Sequence, residues 1–169
     1  MNSSLILIGK IIRYNLKIIF AGRFLLFFLA AVAFYIFFMM VSVFDNVELN
    51  IAFLYEITFF PAILLIFYPM VFGIQRDEDA RMLEILFGIP DYRYKVWLVR
   101  LVIIFLLIFI FLIIFAAIGS WLLYPINPVQ LAMQLLFPIC FLGSLAFLLA
   151  TRIRNGNGTA VVMVILGFF

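Results

Sequence analysis

Ten of the nineteen charged residues fall within Gln75–Arg100, a stretch of 26 residues. They are Arg76, Asp77, Glu78, Asp79, Arg81, Glu84, Asp91, Arg93, Lys95 and Arg100. Acids and bases interleaved in this way make ion pairs and recognise a partner's polar surface; they do not make a nucleophile. Enzymatic chemistry lacks its residues elsewhere too. There is no histidine, so no Ser–His or Cys–His couple and no HExxH zinc helix can form. No GxSxG elbow occurs. The single cysteine, Cys140, offers neither a disulfide framework nor a metal cluster. Without GxxxxGK[ST], the chain has no P-loop for ATP. We therefore expect a non-catalytic protein without a cofactor, and any energised work must draw on another chain.

The elements around this island are apolar. Hydrophobic residues make up 69% of the 169 and the mean hydropathy is +1.35, far above the ~45–50% of soluble domains. Lipid must be the solvent. Four stretches are long enough to cross it: Phe24–Phe44, Ile51–Ile74, Val96–Tyr124 and Val129–Ala150. The first spans about 31 Å as a helix, enough for a ~30 Å hydrocarbon core, and is too long for a signal-peptide core. A fifth run, Thr159–Phe169, reaches only about 16 Å as a helix and cannot cross. The chain is thus expected to continue past Phe169, as the N-terminal part of something longer.

The eleven basic residues follow one pattern. Lys10, Arg13, Lys17 and Arg23 precede the first span. Arg76, Arg81, Arg93, Lys95 and Arg100 lie between the second and third, and Arg152 and Arg154 between the fourth and fifth. The connections Asp45–Asn50 and Pro125–Pro128 hold no Lys or Arg. Positive charge marks the cytoplasmic side, which places the N-terminus and both basic loops in the cytoplasm of a cell membrane. The net charge of +3 is then an orientation signal rather than a nucleic-acid footprint.

Leu5–Phe20 reads as an amphipathic helix on the membrane surface, with Lys10, Arg13 and Lys17 on one face and Leu5, Ile8, Ile12, Leu16 and Ile19 on another. A plain basic flank extending the first span is the simpler reading. Within the island, Asp77–Phe87 predicts a short helix: Asp77, Glu78 and Asp79 suit a helix N-terminus, and Gly88 and Pro90 suit its end. Asp77, Arg81, Glu84 and Gly88 form its polar stripe. Met82, Ile85, Leu86 and Ile89 form its apolar one. Asp91 could cap the next helix, with Tyr92, Tyr94 and Trp97 as interfacial aromatics. Among the spans, Glu56 is the one charge inside an apolar run, roughly 9 Å from Asn50 along a helix. It either faces a substrate path or bundle interior, or is a carboxylate that snorkels outward or stays protonated. Pro61 and Pro69 predict kinks in the second span. Gln130 and Gln134 share a face and predict hydrogen bonds to another helix. Ala116 and Ser120 form a small-xxx-small pair, the mark of ordinary packing.

The segment Asp77-Glu-Asp-Ala-Arg-Met-Leu-Glu84-Ile-Leu-Phe-Gly-Ile-Pro90, running on to Arg100, resembles the first cytoplasmic loop of type-2 ABC exporter permeases. Leu83, Glu84, Leu86 and Pro90 match that family's Leu-Glu-x-Leu core with its following Pro. Arg81-Met82 stands where the family usually has Gly-Thr. The N-terminal helix resembles the family's connecting helix. Arg152–Thr159 resembles its short basic loop before the fifth span. The resemblance covers the whole chain in topology and about twenty residues in motif.

It implies an all-α, polytopic membrane helix bundle with an N-terminal interfacial helix and a short cytoplasmic coupling helix. That helix would dock on a separate ATP-binding cassette ATPase subunit, and Asp77, Glu78, Arg81, Leu83, Glu84 and Pro90 would be the coupling residues. The whole of residues 1–169 would be an incomplete permease domain. A second copy, or a homologous permease, would complete the translocation path, with Glu56 a candidate for that path. A secondary transporter or channel subunit, and a non-transporting membrane assembly factor, are the alternatives.

Overall fold

The structure, a computed structural model, describes residues 13, 16, 17, 19, 20, 23–44, 50–79, 97–153 and 155–167, with side chains left out at 74–79, 164, 166 and 167. Among these residues the chain is all-α and contains no strand. The helices are α1 (Phe24–Phe44), α2 (Ile51–Asp79), α3 (Val99–Leu122), α4 (Pro128–Ile153) and α5 (Gly156–Gly167). The first four contain stretches long and apolar enough to cross a membrane, so this is a multi-pass integral membrane protein. Each of the four spans agrees with the sequence expectation to within a few residues at either end.

Three helix starts share one device. Asn50 Oδ1 accepts the Phe53 N–H at 2.8 Å. Asn127 Oδ1 accepts those of Val129 at 3.0 Å and Gln130 at 3.4 Å. Asn155 Oδ1 accepts those of Asn157 at 3.0 Å and Gly158 at 3.3 Å. Each asparagine satisfies N–H groups that a helix start leaves without an intrahelical acceptor. Pro128 at the first position of α4 lacks an N–H and so needs no acceptor. Asn155 also starts α5 at Gly156, three residues before the expected Thr159. Ser120 closes the α3–α4 connection: its Oγ donates to Ile126 O at 2.6 Å and accepts the Ile126 N–H at 3.2 Å. It therefore holds a turn, in addition to helix packing beside Ala116.

The hairpin order runs the helices up and down. Arg23, Arg100 and Arg152 consequently share one end of the bundle, called here the basic end. Helix α2 is its hub, packed against each of α1, α3, α4 and α5. Because lipid is as apolar as leucine, this packing cannot be driven by hiding oil from water; close approach and hydrogen bonds must do it. Two glycines permit that approach. A Cβ on Gly143 of α4 would lie 2.5 Å from Ile66 Cδ1 and 3.1 Å from Phe105 Cε1. One on Gly119 of α3 would lie 2.5 Å from Leu54 Cδ1 and 2.7 Å from the Tyr35 hydroxyl. On α3, the residues Val102, Leu106, Ile110, Ile114 and Ile118, spaced four apart, face outward as a lipid-side stripe.

Near the N-terminus, Arg13 and Lys17 are exposed, Leu16 is half-buried and Ile19 is buried within the core cluster. Leu16 and Ile19 therefore rest on the bundle, while Leu5, Ile8, Lys10 and Ile12 lie outside the described residues. Phe20 meets Phe24 edge-on at 5.0 Å, joining the segment to α1. Pro61, Pro69 and Pro138 all lie inside helices that continue through them.

Candidate functional site

The residues expected to meet a partner divide at Asp79. Asp77 and Glu78 lie in the last turn of α2, which continues unbroken from Ile51. Arg81, Leu83, Glu84 and Pro90 lie outside the described residues. The acids Asp77–Asp79 thus belong to the helix that begins at Ile51, where a new helix N-terminus was expected. Nothing in Gly73–Asp79 forces a break: the stretch holds no proline, and Gln75, Arg76 and Glu78 are good helix formers. Helix α2 spans about 43 Å, well beyond a ~30 Å hydrocarbon core, and its excess emerges at the basic end.

Glu56 lies near the other end of the same helix. It is exposed and looks away from the packed helices, so it lines no interior path of this chain. Glu56 thus does not face the interior of the described helices, and a substrate path, or a carboxylate that snorkels outward or stays protonated, stands. Phe60 and Leu64 follow at intervals of four, both exposed, which makes Glu56 the upper member of an open face of α2. Gln130 and Gln134 are exposed as well. Among the described residues neither side chain hydrogen-bonds another helix. Both lie in the first two turns of α4, close enough to the membrane boundary for their amides to turn toward water.

The polar groups that are buried are ones the sequence did not single out. Tyr35 is 1% exposed, and its hydroxyl donates to Phe115 O at 2.6 Å. Its ring packs on Phe115 with centroids 4.8 Å apart. An unsatisfied hydroxyl in hydrocarbon costs several kcal/mol, so this bond ties α1 to α3. The Tyr35 hydroxyl reaches the backbone only because Gly119 presents no side chain there. Thr58, fully buried, adjoins Tyr35, but its Oγ1 makes no well-formed hydrogen bond. At the basic end, the Arg23 N–H donates to the Tyr68 hydroxyl at 2.9 Å. Arg100 is only 8% exposed and lies 6.0 Å from the Trp97 ring centroid. Trp97 in turn meets Phe147 of α4 at 5.6 Å. Arg100 and Trp97, at the start of α3, therefore also pack on the bundle at its basic end.

No family model, curated protein or solved structure matches the chain. Its function must be argued from its own residues. Among the described residues no group of His, Cys, Asp and Glu could hold a metal ion. A helix in contact with all the others carries charge at its basic end, an open apolar face along its length and a carboxylate near its far end.

The signals for Tyr35 and Gly119 were present but faint. A tyrosine in mid-span must find a partner for its hydroxyl, and a glycine in an otherwise bulky span marks close approach. Neither cue tells which helix answers the other.

Proposed function

We propose that this chain forms the membrane-spanning part of an ATP-driven exporter of the ABC type. It would share the substrate path with a second permease copy or a homologue, and take its energy from a separate ATPase subunit. The observation that carries the reading is the continuity of α2. The most extensively packed helix of the bundle runs unbroken from Glu56 to Asp79, about 35 Å, and enters the charged island. A partner that moves the island moves the helix against which every other described helix packs. Coupling between distant sites travels well along such a rigid element. On this reading ATP hydrolysis belongs to the partner, in keeping with the lack of a GxxxxGK[ST] motif in this sequence. The distribution of Lys and Arg supports a basic end on the cytoplasmic side of a cell membrane, where that partner would be. The outward position of Glu56 fits a path formed between two copies rather than within one.

The test is co-purification from detergent of the permease with a candidate ATPase carrying a Walker motif. Replacing both Arg81 and Glu84 with alanine should release the ATPase and abolish ATP-driven transport while leaving membrane insertion intact, since neither residue lies in a span. Truncating one member of a desolvated interfacial charge pair costs about 2–5 kcal/mol, more than a tenfold loss of affinity. A double mutant that kept its partner and full transport would refute this coupling role.

A further inference from the structure

Helices α1 and α5 each pack on α2, and the space between them and α4 is not filled. It forms a cavity of about 490 Å³, lined by Phe27 of α1, Leu64 and Phe67 of α2, Ala146 of α4, and Ala160 and Met163 of α5. The volume lies within the ~300–1,000 Å³ range of small-molecule sites. Its walls offer almost no polar atom, so nothing in it could orient a polar ligand. It opens sideways on the face of α2 that continues through Phe60 to Glu56.

The basic end of this groove is different. Arg23 immediately precedes α1, its carbonyl accepts the Phe27 N–H at 3.3 Å, one turn further in, and the residue is exposed. Its backbone is anchored there by the Tyr68 hydroxyl, and Tyr68 packs on both Phe27 and Phe72, with ring centroids 4.7 and 5.5 Å apart. On the opposite wall, Asn157 lies three residues before Ala160 on α5 and is exposed. An exposed cation and an exposed amide thus stand at the basic end of the two helices, α1 and α5, that wall an otherwise apolar slot.

We propose that this groove binds an anionic phospholipid, with one acyl chain lying along α2 between α1 and α5 and its phosphate at Arg23. The tail fits a slot whose walls are aliphatic and aromatic. The phosphate fits a guanidinium, which recognises its oxygens by a bidentate pair of N–H donors. A free anion would have no use for the slot, and an uncharged tail no use for Arg23; a phospholipid uses both. The inference stands on the groove alone and holds whether or not an ATPase partner exists.

The test uses the full-length protein in phosphatidylcholine vesicles carrying a phosphatidic acid with a photoreactive group in mid-chain, and in parallel the same tail on phosphatidylcholine. Labelled residues are mapped by mass spectrometry. Phosphatidic acid should label Leu64, Phe67 and Met163 several-fold more than the lipid-side stripe Val102, Leu106 and Ile110. Ala146→Phe, which fills the slot, should cut groove labelling several-fold and leave the stripe unchanged. Ala160→Phe does the same from the other wall if the first variant is poorly folded. Arg23→Gln should abolish the preference for phosphatidic acid over phosphatidylcholine while keeping the tail in the groove. Equal labelling of groove and stripe, or groove labelling indifferent to both filling variants, would overturn the proposal. So would disulfide cross-linking of Leu64→Cys between two copies, which would make the groove a protein interface.

Discussion

Along one side of α2, Leu54 and Thr58 press against Tyr35 of α1 and Gly119 of α3. Along another, Glu56, Phe60 and Leu64 look outward, and the lower part of that side is an open groove. Residues 54 and 56 differ by two positions and by 200° around the helix, so one turn serves both environments. In the closed seam, specificity comes from a missing side chain and one hydrogen bond, because apolar character cannot distinguish a neighbouring helix from lipid. On the open side no described helix answers, and the residues there are free to meet lipid or a second copy. The seam fixes α1 and α3 relative to α2, which leaves the other face as the one where binding can occur without unpacking the bundle.

If that contrast is right, substitutions in the seam should be costly to the fold and those on the open face should not. Gly119→Val should have the largest effect. It puts a branched side chain where even a Cβ would collide with Leu54 and with a hydroxyl held by its hydrogen bond. We expect about 1–3 kcal/mol of lost stability, the range for overpacking, measured by unfolding in mixed detergent micelles. Tyr35→Phe keeps the ring and loses only the bond to Phe115 O. Hydrogen bonds between membrane helices contribute about 0.6 kcal/mol on average, so a loss of roughly 0.5–1.5 kcal/mol is expected by the same measurement. An unchanged midpoint would show the bond to be idle and the seam to rest on shape alone. Glu56→Gln should change stability least, by less than about 0.5 kcal/mol, because the side chain packs against nothing that folding must hold. If this variant also lost transport, Glu56 would belong to the substrate path. If it destabilised the protein as much as Gly119→Val, the open face would be packed and the comparison would fail.

The helices themselves were legible before any coordinates. Twenty-one residues without a charge between Arg23 and Asp45 can be little else than a span, and the separation of Lys and Arg from the two short connections determined the up-and-down order. The same reading misplaced details that depend on neighbours. It assigned Asp77–Asp79 to a helix start, because acids favour that position, whereas helix α2 simply continues through them. It assigned Gln130 and Gln134 to an interhelical contact, and they are exposed.

Composition and charge order alone determined that this protein lives in a bilayer, crosses it several times and gathers ten of its nineteen charges in one island. These properties follow from transfer of each segment between water and lipid, which depends on that segment's own residues. Which helix becomes the hub, which tyrosine finds a backbone carbonyl, which glycine admits it and which face is left open were decided only by the tertiary structure. In hydrocarbon, one apolar helix face is nearly equivalent to another, and the choice among them rests on sub-ångström fit between residues as far apart in sequence as Tyr35 and Phe115.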